Sequence, residues 1–156
     1  TLYNAREAGR SVKFPRVSQD GKRLLYTVSD YGNFSIWHKD ADLYMIDLST
    51  LRSYPLEAAN SDDVESYHSW SSNSRWFVFS SRRIDGLYTR PYIAYVGEDG
   101  KVGKPFLLPQ KDVGFYPSFM KSFNIPEFIT GKVKVQGRAL AIKAKEDKGT
   151  DVRFAK

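Results

Sequence analysis

Phe14-Pro15-Arg16-Val17-Ser18-Gln19-Asp20-Gly21-Lys22-Arg23-Leu24-Leu25-Tyr26-Thr27 decides the fold, because it returns as Tyr67-His68-Ser69-Trp70-Ser71-Ser72-Asn73-Ser74-Arg75-Trp76-Phe77-Val78-Phe79-Ser80. The two stretches align without a gap at an offset of 53 residues. Aromatic faces aromatic at Phe14 and Tyr67, Ser18 faces Ser71, Asp20-Gly21 faces Asn73-Ser74, and Lys22 faces Arg75. Each copy reads as a hairpin. Asp-Gly and Asn-Ser suit tight turns, since Gly, Asn and Asp enter positive φ at little cost. The runs that follow, Leu24–Val28 and Phe77–Ser80, are short, apolar and partly aromatic, as a buried strand requires.

Outward from each hairpin the pattern continues. Leu43–Leu48 and Pro91–Val96 read as third strands ending in turn chemistry, Ser49-Thr50 in one and Gly97-Glu98-Asp99-Gly100 in the other. Short fourth strands are expected near Arg52–Glu57 and Pro105–Leu108. Four strands in a unit of about 50 residues is the arrangement of a β-propeller blade, and a recurrence of that period is a signature of repeat architecture. The fold class expected is therefore all-β: about two complete four-stranded blades plus partial ones, a fragment of a larger propeller. Residues 1–13 are assigned to the end of a preceding blade, with Leu2-Tyr3-Asn4-Ala5 as its last strand. Residues 14–66 and 67–114 are the two blades. Residues 115–130 are a partial blade opening on Tyr116-Pro117-Ser118-Phe119, and 131–156 form a basic C-terminal segment that is partly disordered. Within that last segment Lys132–Val135 alternates like a short edge strand, Arg138–Lys145 fits strand or helix, and the residues from Glu146 onward are expected to fray. Two blades cannot close a ring, so exposed strand edges are expected to pair with further blades, a partner chain or a second copy.

The first copy resembles the Pro-x-Trp-Ser-Pro-Asp-Gly-Lys-x-Leu-x-Phe repeat of TolB-like propellers, and Ala41-Asp42-Leu43-Tyr44-Met45-Ile46-Asp47-Leu48 is similar to the strand that follows it in that family. The resemblance runs from Phe14 to Phe119. Gln19 stands where the family has Pro, and Ser72-Asn73-Ser74 where it has Pro-Asp-Gly; both keep a turn. It implies a propeller of exported bacterial proteins, a periplasmic or cell-envelope location, and a non-enzymatic scaffold for a protein or peptide partner. Two other roles of such propellers stay open: the accessory domain of a prolyl-oligopeptidase-like hydrolase, and glycan binding.

Composition narrows the chemistry. The 156 residues carry 24 Lys and Arg against 18 Asp and Glu, a net charge of +6. Eight of the basic residues and only three acids fall in residues 131–156, so the basicity belongs to the tail and no nucleic-acid partner is expected. Aromatics alternate with basic residues as buried strand positions do, unlike a base-stacking platform. The chain has no cysteine, which excludes disulfides and thiol catalysis. No apolar window reaches the roughly 18 residues of a membrane span. No Gly-x-Ser-x-Gly, Walker or haem-attachment motif occurs, so no catalytic residue and no cofactor is expected.

The remaining candidates are binding residues. Only two histidines exist, too few for a histidine-rich metal site. His38 sits in the loop Tyr31–Asp40 with Tyr31, Phe34 and Trp37, either a loop packed by its own side chains or a ligand-facing rim. His68 lies on an expected inner strand, where it either faces a ligand in the channel or caps a backbone group. The segment Ser80–Arg90 gathers Arg82, Arg83, Asp85 and Tyr88; arginine forks bind carboxylates and phosphates, or else pair with an acid such as Asp30 or Asp42. Asp62-Asp63-Val64-Glu65 reads as a solvated turn, without the ordered ligand spacing of a calcium loop.

Overall fold

The computed structural model describes residues 1–146. Two four-stranded antiparallel meanders follow one another along the chain. The first consists of β1 (Ser11–Val17), β2 (Arg23–Ser29), β3 (Asp42–Asp47) and β4 (Arg52–Pro55). The second consists of β5 (Glu65–Trp70), β6 (Trp76–Ser81), β7 (Arg90–Tyr95) and β8 (Phe106–Leu107). The strands fall where the apolar runs and turn residues put them, and neither sheet closes on itself.

The repeat is copied down to single hydrogen bonds. Ser18 N–H donates to Arg23 O at 2.8 Å, and Ser71 N–H to Trp76 O at 2.8 Å. The Ser18 hydroxyl donates to Asp20 Oδ1 at 2.6 Å and accepts from Arg23 N–H at 3.0 Å. The Ser71 hydroxyl does the same with Asn73 Oδ1 at 2.7 Å and Trp76 N–H at 3.1 Å. Gly21 and Ser74 both take positive φ, at 70° and 57°. The conformation that glycine adopts freely is thus imposed on a serine in the second copy. Ahead of each turn the first strand of the sheet carries a bulge: the register slips between Lys13 and Arg16 on β1, and between Ser66 and Ser69 on β5. At these bulges Phe14 and Tyr67, equivalent by the repeat, are left-handed with φ of 53° and 52°.

Burial explains how the two sheets meet. On β2 and β3 the paired Leu25 and Met45, with Leu43, point to one side; on β6 and β7 Phe77, Phe79, Tyr92 and Ala94 point to the facing side. Together they form one apolar core that also takes in Trp70. Of the hydrogen bonds that join the repeats across this interface, three span 54 residues each, one repeat plus one. Ser74 Oγ accepts from Asp20 N–H at 2.9 Å, His68 Nε2 lies 2.7 Å from Phe14 O, and Trp70 Nε1 donates to Arg16 O at 3.0 Å.

Because the sheets stack face to face over a shared core, each also has an outer face turned away from it. Both outer faces receive cover from the chain. Tyr3 packs on Tyr26, ring centroids 5.6 Å apart, over the side of the first sheet that holds Val28 and Ile46. Ser80 Oγ donates to Asn124 O at 2.7 Å and Ser69 Oγ to Pro126 O at 3.1 Å, so residues 122–126 lie against the second sheet.

Outside the meanders three local expectations change. Leu2–Ala5 is not a strand: Ala8 N–H returns to Asn4 O and Arg10 N–H to Ala5 O, winding the chain into turns. Tyr116-Pro117-Ser118-Phe119 does not open another strand. Phe115–Ser118 is a helical turn, α1, whose rings Phe115 and Phe119 stack at 4.9 Å, and buried Arg90 draws in the carbonyls of Tyr116, Phe119 and Lys121. Lys132–Val135 finds no neighbouring strand and is not one, since alternation without a partner edge does not make a sheet. Gly137–Glu146 is an exposed helix, α2, which settles the choice left open for Arg138–Lys145. The fraying expected after Glu146 concerns residues 147–156, outside the described residues. No described helix is long and apolar enough to cross a membrane.

Candidate aromatic and arginine rim

Antiparallel pairing sends the β2–β3 loop and the β6–β7 loop to the same end of the two sheets, away from the tight turns. The β2–β3 loop contains a single 3₁₀ turn, Ser35–Trp37, entered through Phe34 at φ 51°. Ser35 and Ile36 are buried and anchor that turn. Phe34 and Trp37 project outward, 76% and 64% exposed. Behind them His38 is half-buried, its Nε2 2.9 Å from Asn33 O and its ring edge-on to Tyr31 at 5.6 Å. The loop is therefore packed internally through His38 and Ile36, and aromatic toward solvent through Phe34 and Trp37. At its base Phe14 and Tyr67, the two bulge aromatics, meet at 5.1 Å.

The arginine segment does not act as one cluster. Arg83 turns inward to Glu65 at 2.8 Å and lies over the Tyr92 ring at 4.6 Å. Glu65 is fully buried and also accepts from Ser61 Oγ at 2.7 Å and Ser81 Oγ at 2.8 Å. Burial raises its pKa, and the hydroxyls and Arg83 oppose that shift. The acid that meets Arg83 is thus Glu65, not Asp30 or Asp42; Asp30 pairs with Arg10 at 2.9 Å. Asp85 closes its own loop, accepting from the N–H groups of Leu87 and Tyr88 at 2.8 Å each. Its pKa is lowered: burial opposes the shift, and the two N–H groups and the nearby Arg90 and Arg82 outweigh it. Tyr88 packs against Arg90, 5.1 Å from its guanidinium. Only Arg82 reaches the rim, where its guanidinium sits 4.9 Å from the centre of the Trp37 ring.

His68 is buried, 2% exposed, and does not face open space. Its Nε2 approaches two carbonyls, Phe14 O at 2.7 Å and Leu25 O at 3.1 Å, so Nε2 carries the proton and donates to both. Its Nδ1 is buried without a partner. A second proton there would be desolvated and unpaired, and burial accordingly lowers the pKa to about 4. Near Glu65, burial and then that residue's negative charge push Asp42 up to about 6, with Arg10 pulling the other way.

Of the seven binding candidates, the structure brings Trp37 and Arg82 together at an open rim with His38 behind. His68 joins the two sheets through Phe14 O and Leu25 O, Arg83 is held by Glu65 and Tyr92 of the second sheet, and Asp85 and Tyr88 shape their own loop. Sequence reasoning missed Phe34 as an exposed ring in its own right, and Tyr67 beneath it. The equivalence of Tyr67 with Phe14 was visible, but the bulge that re-aims both was not. A wider groove of about 620 Å³ lies between β4 and the β7–β8 turn, lined by Arg52, Tyr54, Glu57, Asp99 and Lys101 among others. Its charges are mixed, and none of the buried unpartnered side-chain atoms belongs to it. Among the described residues, no group of three or more His, Asp and Glu side chains is placed to hold a metal ion. No protein-family model and no curated protein sequence matches the chain.

Proposed function

We propose that the two meanders are neighbouring blades of a TolB-like β-propeller and that this segment is a non-enzymatic scaffold that binds an extended peptide of a protein partner at its loop end. Face-to-face sheets repeating at 53 residues and tied at 54 support the blade reading. The observation that carries the binding reading is the pair Phe34 and Trp37, held outward on a turn anchored by buried Ser35 and Ile36. Large exposed aromatics on a rigid support are the usual anchors of protein recognition, because they bury much area at little entropic cost. Scaffolds of this kind put variable loops on a fixed frame, and the invariant turn end beside the divergent loop end fits that division. A location in the cell envelope belongs to the same proposal and rests on the resemblance of the repeat.

Panning a random peptide library, displayed through its C-terminus, on the full chain tests this. Enriched peptides should bind the Phe34→Ser/Trp37→Ser variant at least about tenfold more weakly, with the melting temperature unchanged. Failure to enrich any sequence, or equal binding by the variant, would overturn it.

A further inference from the structure

The three arginines of the β6–β7 region differ in how their charge is met. Arg83 has the Glu65 carboxylate at 2.8 Å. Arg90 has Asp85 at 3.9 Å and the carbonyls of Lys121, Phe119 and Tyr116. Arg82 makes no ion pair among the described residues. It donates to two backbone carbonyls only, Gly86 O and, at 3.4 Å, Ile36 O, and its Nε is buried with no partner at all. Asp85 is near enough to feel the charge of Arg82 but forms no ion pair with it, its carboxylate being engaged by Leu87, Tyr88 and Arg90.

Arg82 lines a cavity of about 180 Å³ beneath the rim. Its other walls are mostly apolar or aromatic, with Thr89, Ser122 and Asn124 supplying polar groups beside Trp37 and Leu87. A guanidinium without an ion-pair partner, placed over an indole ring and partly desolvated, is the donor arrangement that a planar carboxylate completes. The cavity is too small for a segment of chain to run through it, but it suits one apolar side chain and a terminal group. We propose that this cavity takes the C-terminal carboxylate of a peptide ending in an apolar residue, with the carboxylate on Arg82 and the last side chain between Trp37 and Leu87. This rests on the peptide-binding reading above and names the end of the peptide that enters first.

The test uses small probes on the full chain, followed by NMR at the Trp37 indole N–H and the Arg82 Nε–H. N-acetyl-leucine should shift both signals saturably. N-acetyl-leucinamide, which lacks the charge, should bind at least about tenfold more weakly, and so should N-acetyl-aspartic α-amide, whose carboxylate is on the side chain. Arg82→Lys keeps the charge but loses the fork, and it should weaken N-acetyl-leucine by about tenfold while leaving the far-UV circular dichroism unchanged. Equal binding of acid and amide, undiminished binding by Arg82→Lys, equal binding of the aspartic amide, or no saturable shift would each overturn the proposal. Peptides displayed through their C-termini have no free carboxylate. Rim binding that persists while N-acetyl-leucine fails therefore sinks only this inference, whereas the reverse result sinks the rim reading.

Discussion

The turn end and the loop end of the two sheets follow different rules. At the turn end, Ser18 and Ser71 make the same bonds to equivalent partners 53 residues apart, and Gly21 and Ser74 hold the same left-handed backbone. At the loop end the copies share almost nothing: one loop is aromatic and anchored through Ile36, the other is built on arginine and an aspartate-closed turn. Folding holds the turn end in common and releases the loop end. A strand pairing needs its turn and its core side, while a loop that leaves the sheet needs only enough buried residues to hold its shape.

The largest effect should follow from breaking what the repeats share. Phe77 is fully buried at the centre of the common core, against Trp70 and Phe79 at 5.7 Å each. Phe77→Ala should cost about 3–5 kcal/mol. Phe34→Ala, an aromatic of the same size at the loop end, should stay within about 0.5 kcal/mol. Urea denaturation of the two variants measures both, and comparable losses would dissolve the distinction between the ends.

Acid should act next, through the interface between the sheets. His68 is neutral in the fold with its pKa lowered from 6.5 to about 4, so the unfolded chain binds its proton first as pH falls. Its contribution is complete above about pH 6.5 and is lost progressively down to about pH 4, on the order of 3 kcal/mol in all. Asp42 works in the opposite sense, because its raised pKa of about 6 favours the fold as it takes up a proton. Comparison with His68→Gln, which keeps an N–H donor and removes the titration, cancels the Asp42 contribution. The stability difference between the wild type and the variant should therefore shift in favour of the variant between pH 6.5 and 4. A constant difference over that range would show that His68 does not titrate with folding.

Much of this was legible in the sequence, and the reason is local. Ser-x-Asp/Asn-Gly/Ser turns and short apolar runs encode strands within a few residues, so β2, β3, β6 and β7 stand within two residues of where their patterns put them. What was not legible depends on contacts far along the chain. Arg83 could not be assigned to Glu65 in preference to Asp30 or Asp42, because the choice is made by the packing of β5 on β6. The helical turn at Tyr116 was hidden for the same reason: Arg90, some 26 residues earlier, binds the carbonyls that a strand would have paired. The exposed rim was read as an aromatic loop, but which rings face outward depended on the 3₁₀ turn that buries Ser35 and Ile36.

A subtler effect asks whether two sites with the same bonds have the same energies. Removing the hydroxyl at Ser18 or Ser71 deletes one bond to the turn acid or amide and one from the strand that follows. Each alanine variant should lose about 1 kcal/mol, the usual net worth of such bonds. Two differences between the sites pull against each other. Ser18 is buried and its partner Asp20 is charged, with a pKa lowered chiefly by the Ser18 bond, so that bond is the stronger. The Ser71 turn, however, carries Ser74 at positive φ where the first has glycine, and it starts with more strain to hold. If the stronger acceptor governs, Ser18→Ala is the more damaging by a few tenths of a kcal/mol; if backbone strain governs, Ser71→Ala is. Chemical denaturation of the two variants and of Ser74→Gly decides between them. In the strain-governed case Ser74→Gly should reduce the cost of Ser71→Ala, and in the acceptor-governed case it should leave that cost unchanged. A gap well above 1 kcal/mol in either direction would mean that matched hydrogen bonds do not make the two turns equivalent parts.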